Sequence, residues 1–158
     1  MKLVGLIGEQ FIIHHVGSTA IPRMSGKNIL DILIGVPNSN DLENVLRKLT
    51  EKSYFEGKNR EDDYVFLASR TEETHGGDVH IHLAIVDSVR YSDFLYVKKY
   101  LLENQDEARK YREAKRFIAN GASGNRSAYK KHKSEYVANL LKKARRYYGE
   151  TAKDLDSC

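Results

Sequence analysis

Three short runs bring together residue types that do chemistry. In His15-Val16-Gly17-Ser18-Thr19 a glycine precedes two hydroxyl side chains just past an apolar run. Glycine lets a backbone approach a ligand closely, and hydroxyl and N–H donors suit phosphate oxygens. The same residues also make an ordinary turn. In Ile29-Leu30-Asp31-Ile32-Leu33-Ile34 a single acid stands in an apolar stretch. Charges are seldom buried without a partner or a metal, so Asp31 either has a specific task or accepts hydrogen bonds near a strand end. In Val79-His80-Ile81-His82-Leu83 a period of two sets both imidazoles on one face of a strand. Such a pair can chelate a transition metal or stand as two hydrogen-bonded groups lining a cleft.

Two lysines interrupt helical stripes. Lys115 lies four residues after Tyr111 and three before Ile118, and Lys133 four after Tyr129 and three before Tyr136. Residues at those spacings share a helix face, so each lysine either snorkels to the surface or meets an anion. The chain has no GxxxxGK[ST], GxSxG or HExxH pattern, and its one cysteine is Cys158 at the last position. One interior acid beside phosphate-type donors points to phosphate or nucleotide chemistry rather than acyl transfer.

The elements that must position these groups can be read from periodicity. Strands are expected over 11–16 and 29–36, the second a nearly continuous apolar run, as in strands buried on both faces. Asn38-Ser39-Asn40-Asp41 offers caps for a helix whose Leu42, Val45, Leu46 and Leu49 recur at helical spacing. Strands follow over 63–69 and 78–86 around a polar turn at 70–77. Helical spacing then runs from 92 to about 120, breaks at Gly121-Ala122-Ser123-Gly124-Asn125, and resumes over 126–148. The order predicts an α+β, mixed α/β domain over 1–149, with two C-terminal helices and a disordered tail at 150–158.

At 158 residues with 41% hydrophobic and 30% charged residues, the chain is long enough for one domain without cross-links or structural metal. A lone cysteine excludes an internal disulfide and fits a cytoplasmic location. No apolar run is long enough to span a membrane, and the N-terminal residues lack a signal-peptide pattern. The net charge of +4 is concentrated in 126–148, where Glu135 is the one acid among many Lys and Arg. That segment is either a solvated helix or a surface for nucleic acid.

The run HHVGSTAIPRMSGKNILDILIGV resembles the signature of the GrpB family, close to HVGSTAVPGLxxKPxxDI. HIHLAIV resembles that family's His-Leu-His strand, and EARKYREAKRFIA and RSAYKKHKSEYVANLL its two Tyr-x-x-x-Lys segments. Together they cover about 9–145. The resemblance implies a nucleotidyltransferase-like fold, a mixed sheet flanked by helices. In active members of that superfamily a Gly-Ser turn holds nucleotide phosphates, and a D-x-D pair with a third acid binds two divalent metals. Gly17 and Ser18 match the turn, with Thr19 beside them, and Asp31 matches the first acid. Leu33 stands at the second acid, and His80 and His82 occupy the strand expected to bear the third. Asp31, His80 and His82 are therefore the expected catalytic and metal-binding residues. The metal is a divalent ion (Mg²⁺, Mn²⁺ or Zn²⁺), imidazole favouring Zn²⁺ or Mn²⁺ over Mg²⁺. Lys27, Lys115 and Lys133 are expected to neutralise phosphates. Relatives carry a longer N-terminal helix, of which MKLVGLIGEQF matches only the final turns. The expected function is an enzyme of the nucleotidyltransferase-like class acting on a nucleotide or phosphate ester. The alternatives are a non-catalytic module binding such a ligand, and nucleic-acid binding through the basic last helix.

Overall fold

A computed structural model of the chain describes residues 2–24, 28–71, 73, 77–122 and 124–149. Lys27 and the tail from 150 lie outside the described residues. The elements run α1 (Lys2–Ile7), β1 (Ile12–Val16), a 3₁₀ turn (Ser18–Ala20), β2 (Leu30–Val36), α2 (Ser39–Glu51), β3 (Phe55–Glu56), β4 (Tyr64–Ala68), β5 (Val79–Ile85), α3 (Val89–Glu103), α4 (Gln105–Ala122) and α5 (Arg126–Tyr148). They fall into two compact units, one built from residues up to Ala20 with 28–94, the other from 21–24 with the chain from Leu95 onward.

The first unit holds a mixed sheet in the order β1-β2-β5-β4-β3. At its centre β2 and β5 are parallel, Asp31 opposite His80 and Leu33 opposite His82. β1 adds antiparallel to β2, β4 antiparallel to β5, and β3 antiparallel to β4. A parallel pair cannot close through a hairpin, and the segment carrying α2, β3 and β4 makes the crossover. Asn38 starts α2 by accepting the Asp41 N–H at 2.9 Å. Its apolar stripe of Leu42, Val45, Leu46 and Leu49 then packs with Leu3 and Ile7 of α1 on one sheet face, against Ile32, Ile34, Val36, Val65, Leu67, Ile81 and Leu83. Truncating one of these leucines to alanine costs about 2–5 kcal/mol. Alternation commits the other residues of the same strands to the opposite face. That face carries His14, Asp31, Leu33, Gly35, Tyr64, Phe66, His80 and His82.

The second unit packs Tyr96, Tyr100, Leu101, Tyr111, Leu140 and Ala144 around Ile21. The helix expected over 92–120 is two helices, so three rather than two follow β5. Asn104 makes the break. Its backbone N–H and side-chain amide both donate to the Tyr100 carbonyl, at 3.0 and 2.9 Å, while its own carbonyl accepts the Ala108 N–H at 3.0 Å. Asp106 and Glu107 then supply the acidic first turn that the positive end of α4 favours. Asn125 caps α5 by accepting the Ala128 N–H at 3.1 Å. Gly149, at φ 75°, ends that helix with its N–H on the Arg145 carbonyl. Among the described residues no helix is long and apolar enough to cross a membrane.

Candidate functional site

The polar face of the central strands gathers Asp31, His80 and His82, the three residues expected to act together. Residues 31 and 80 face each other across the parallel pair, and 82 follows one period along. The His82 Nε2 lies 3.1 Å from the Asp31 Oδ1, a hydrogen bond. The His80 Nδ1 approaches the same oxygen at 3.6 Å, an ion-pair distance rather than a hydrogen bond. Burial by itself would raise the Asp31 pKa; the two imidazoles outweigh it and hold the carboxyl well below the ordinary carboxylate range.

Gly17 closes the near side of the carboxylate. It has φ 73°, and a Cβ built on it would stand 2.5 Å from the Asp31 Oδ2. The turn after β1 therefore needs a residue with neither a side chain nor a penalty in the left-handed region. Ser18 is half-buried at the start of the 3₁₀ turn, while Gly17 and Thr19 are exposed. Thr19 braces the turn instead of facing the carboxylate: its hydroxyl donates to the Ile29 carbonyl at 3.3 Å and lies 2.8 Å from the His15 Nε2.

An aromatic and phenolic shell, not among the residues expected from the sequence, surrounds the imidazoles. The Tyr64 hydroxyl lies 2.8 Å from the His82 Nδ1. Burial pushes the Tyr64 pKa up to about 12, against the lowering pull of the Arg90 charge, so the phenol keeps its proton at neutral pH. In the neutral imidazole the Tyr64 O–H donates to Nδ1, which leaves Nε2–H to donate to Asp31. Phe94 packs 4.4 Å from the His82 ring and Phe66 meets His80 edge-on at 5.0 Å, both between ring centres. The Arg90 guanidinium lies 4.8 Å from the centre of the Tyr64 ring and is tethered to Glu61 Oε1 at 2.6 and 3.1 Å. Further along the face, buried His14 bonds the Tyr91 hydroxyl at 3.2 Å. Tyr91 presses on Gly35, where a Cβ would meet the ring at 2.6 Å. The signal was available in part: alternation through Tyr64-Val65-Phe66 places both rings on one side of β4.

Of the lysines expected to meet phosphate, Lys27 lies outside the described residues. Lys115 is buried in α4 with its Nζ 5.5 Å from the Tyr111 ring centre, and Lys133 is half-buried on α5, both in the second unit.

A two-magnesium centre does not fit this donor set. Leu33, the next same-face residue after Asp31, is fully buried and offers no oxygen. What remains, one carboxylate and two imidazoles, suits by donor type a borderline ion such as Zn²⁺ or Mn²⁺. Among the described residues no three His, Cys, Asp or Glu side chains are already disposed as a ligand set. An ion would have to replace the His82–Asp31 hydrogen bond.

Comparison with known proteins settles the kinship. The family model described as GrpB protein matches residues 2–143. The chain belongs to the GrpB family. A UPF0157 protein of Pseudomonas aeruginosa is 31% identical over 133 residues, 84% of this chain and 54% of that protein. A UPF0157 protein of Streptomyces coelicolor is 24% identical over 90% of this chain and 74% of that one. The chain thus spans about half the length of the first of these GrpB-type relatives and about three quarters of the second. The crystal structure of the conserved protein GrpB from Enterococcus faecalis superposes with a TM-score of 0.77 at 22% identity, covering 94% of this chain and 89% of that one. That likeness gives the fold, and the expected mixed sheet with flanking helices is present.

Proposed function

We propose that this GrpB-family chain acts on a nucleotide or another phosphate ester in a cytoplasmic setting. The observation that carries the reading is the collar around Asp31: an ionised carboxylate with two imidazoles on one oxygen and the backbone of the Gly17 turn packed against the other. A carboxylate with so low a pKa is a poor proton acceptor near neutrality, so Asp31 serves as a fixed negative charge that orients His82 or holds a cation. Gly17 and Ser18 receive the phosphate, Thr19 keeps their turn in shape, and His80 and His82 are the acid–base groups of the set. A divalent ion held by Asp31, His80 and His82 would supply Lewis-acid stabilisation of charge on the phosphoryl oxygens.

A thermal-shift screen of nucleotides with Mg²⁺, Mn²⁺ and Zn²⁺, beside the Asp31→Asn protein, tests this reading. Binding to the folded state alone raises apparent stability by mass action. The expected result is a nucleotide shift that depends on the ion and disappears in Asp31→Asn. No shift in well-folded protein for any nucleotide or ion would overturn it. Leu33 favours a second reading, ligand binding without turnover, because it removes the second carboxylate on which superfamily chemistry relies. A nucleotide shift without any turnover would select that reading.

A further inference from the structure

We propose that α5 carries a second anion site, for a small phosphorylated molecule, and that this site stands independently of the function proposed for the Asp31 centre. A cavity of about 440 Å³ in the second unit is lined by Tyr136, Asn139, Leu140, Lys142, Lys143 and Arg146. At 3.6 residues per turn, positions 139, 142, 143 and 146 lie on one side of the helix. Leu140 is a buried floor, and Tyr136 is fixed by stacking on Tyr111 with 5.3 Å between ring centres and planes 11° apart.

The charges do not cancel there. Lys143 lies 3.5 Å from the Glu107 Oε2, a buried oxygen with no hydrogen bond of its own. The same carboxylate also serves Lys110 at 3.4 Å. Lys142 and Arg146 have no ion pair among the described residues. Among the described residues, three cations therefore border one concavity with a single, shared counter-charge, and a concave surface of one sign concentrates its potential and draws anions. The cavity is of the size that takes a small molecule. Asn139 and the Tyr136 hydroxyl add polar groups for the rest of such a ligand.

The same geometry argues against a nucleic-acid track. At about 100° per residue, Lys130 falls opposite Asn139 on α5, and the acidic Glu135 interrupts the line from Lys131 to Lys142. The basic residues of the helix thus do not form the continuous stripe that follows a phosphate backbone.

Isothermal titration of the full chain with inorganic pyrophosphate at low salt tests the site, with a single-stranded oligonucleotide as competitor. Wild type should bind pyrophosphate, and Lys142→Gln/Arg146→Gln should weaken binding about tenfold or more. Both substituted residues are exposed, and an unchanged circular-dichroism spectrum checks the fold of the variant. Asp31→Asn should leave this binding intact, which separates the outcome from that of the strand site. No pyrophosphate binding, or equal binding by the double variant, would overturn the proposal. Oligonucleotide binding that pyrophosphate cannot displace would overturn it in favour of nucleic acid.

Discussion

Replacing Gly17 with alanine should destabilise the first unit in two separable ways. The residue sits at φ 73°, where an L side chain costs about 1–2 kcal/mol. The new methyl would also stand 2.5 Å from the Asp31 Oδ2 and 2.9 Å from its Cγ, closer than real contacts allow. The carboxylate must then swing away from His82 and His80. Losing hydrogen bonding to a charged group costs about 1.5–3 kcal/mol. Gly17→Ala should therefore cost about 3–5 kcal/mol in the wild-type background. In Asp31→Ala the carboxylate is gone but the Cβ, 2.9 Å from the new methyl, remains, so the same substitution should cost the backbone strain of about 1–2 kcal/mol and a small residual contact. The four proteins form a double-mutant cycle with a coupling of about 2 kcal/mol. Urea unfolding followed by far-UV circular dichroism reads it, since the chain has no tryptophan. Equal costs of Gly17→Ala in the two backgrounds, within about 0.5 kcal/mol, would refute the packing of this turn on the carboxylate.

Two further substitutions probe the charges of the same face. Because folding depresses the Asp31 pKa, the unfolded chain takes up the proton first as the pH falls. The stability due to Asp31 is complete above the unfolded value near pH 4 and drains away below it, down through the folded pKa. Asp31→Asn should flatten that acid limb of the urea midpoint against pH; an unaltered limb would remove Asp31 as its source. Tyr64→Phe strands the His82 Nδ1 without its donor and should cost about 1–3 kcal/mol. The raised phenol pKa also means that the stability due to Tyr64 is present below pH 10 and lost as the pH rises towards 12. Ultraviolet titration should lose a late-ionising phenol in this variant, and loss of an ordinary one would contradict the buried placement.

Much of the site's scaffold could be read from periodicity, because its strands are apolar where they are buried. The expected strands 29–36 and 78–86 are Leu30–Val36 and Val79–Ile85, and the expected helix 126–148 is α5. Asp31, His80 and His82 were identifiable because a charge or an imidazole inside such a run needs a reason. Their convergence was not, since it depends on β2 and β5 being parallel neighbours, a long-range pairing that local patterns do not encode. The shell of Tyr64, Phe66, Tyr91 and Phe94 was hidden for the same reason: an aromatic residue on a strand or helix reads as core until its neighbour is known to be an imidazole. The break at Asn104 escaped because its cause is local hydrogen bonding by one side chain in a stretch whose apolar spacing continues across it. The burial of Lys115 could not be distinguished from snorkelling by spacing alone.

Turnover of a phosphate ester at the Asp31 centre can be measured directly. The most direct measurement incubates wild type, Asp31→Asn and His82→Ala with a panel of nucleoside triphosphates and Mn²⁺ or Mg²⁺, and follows nucleotide consumption by liquid chromatography. Wild type should consume at least one nucleotide, and both variants, each shown to be folded by circular dichroism, should not. Consumption that survives in both variants, or none by wild type, would contradict turnover at this centre.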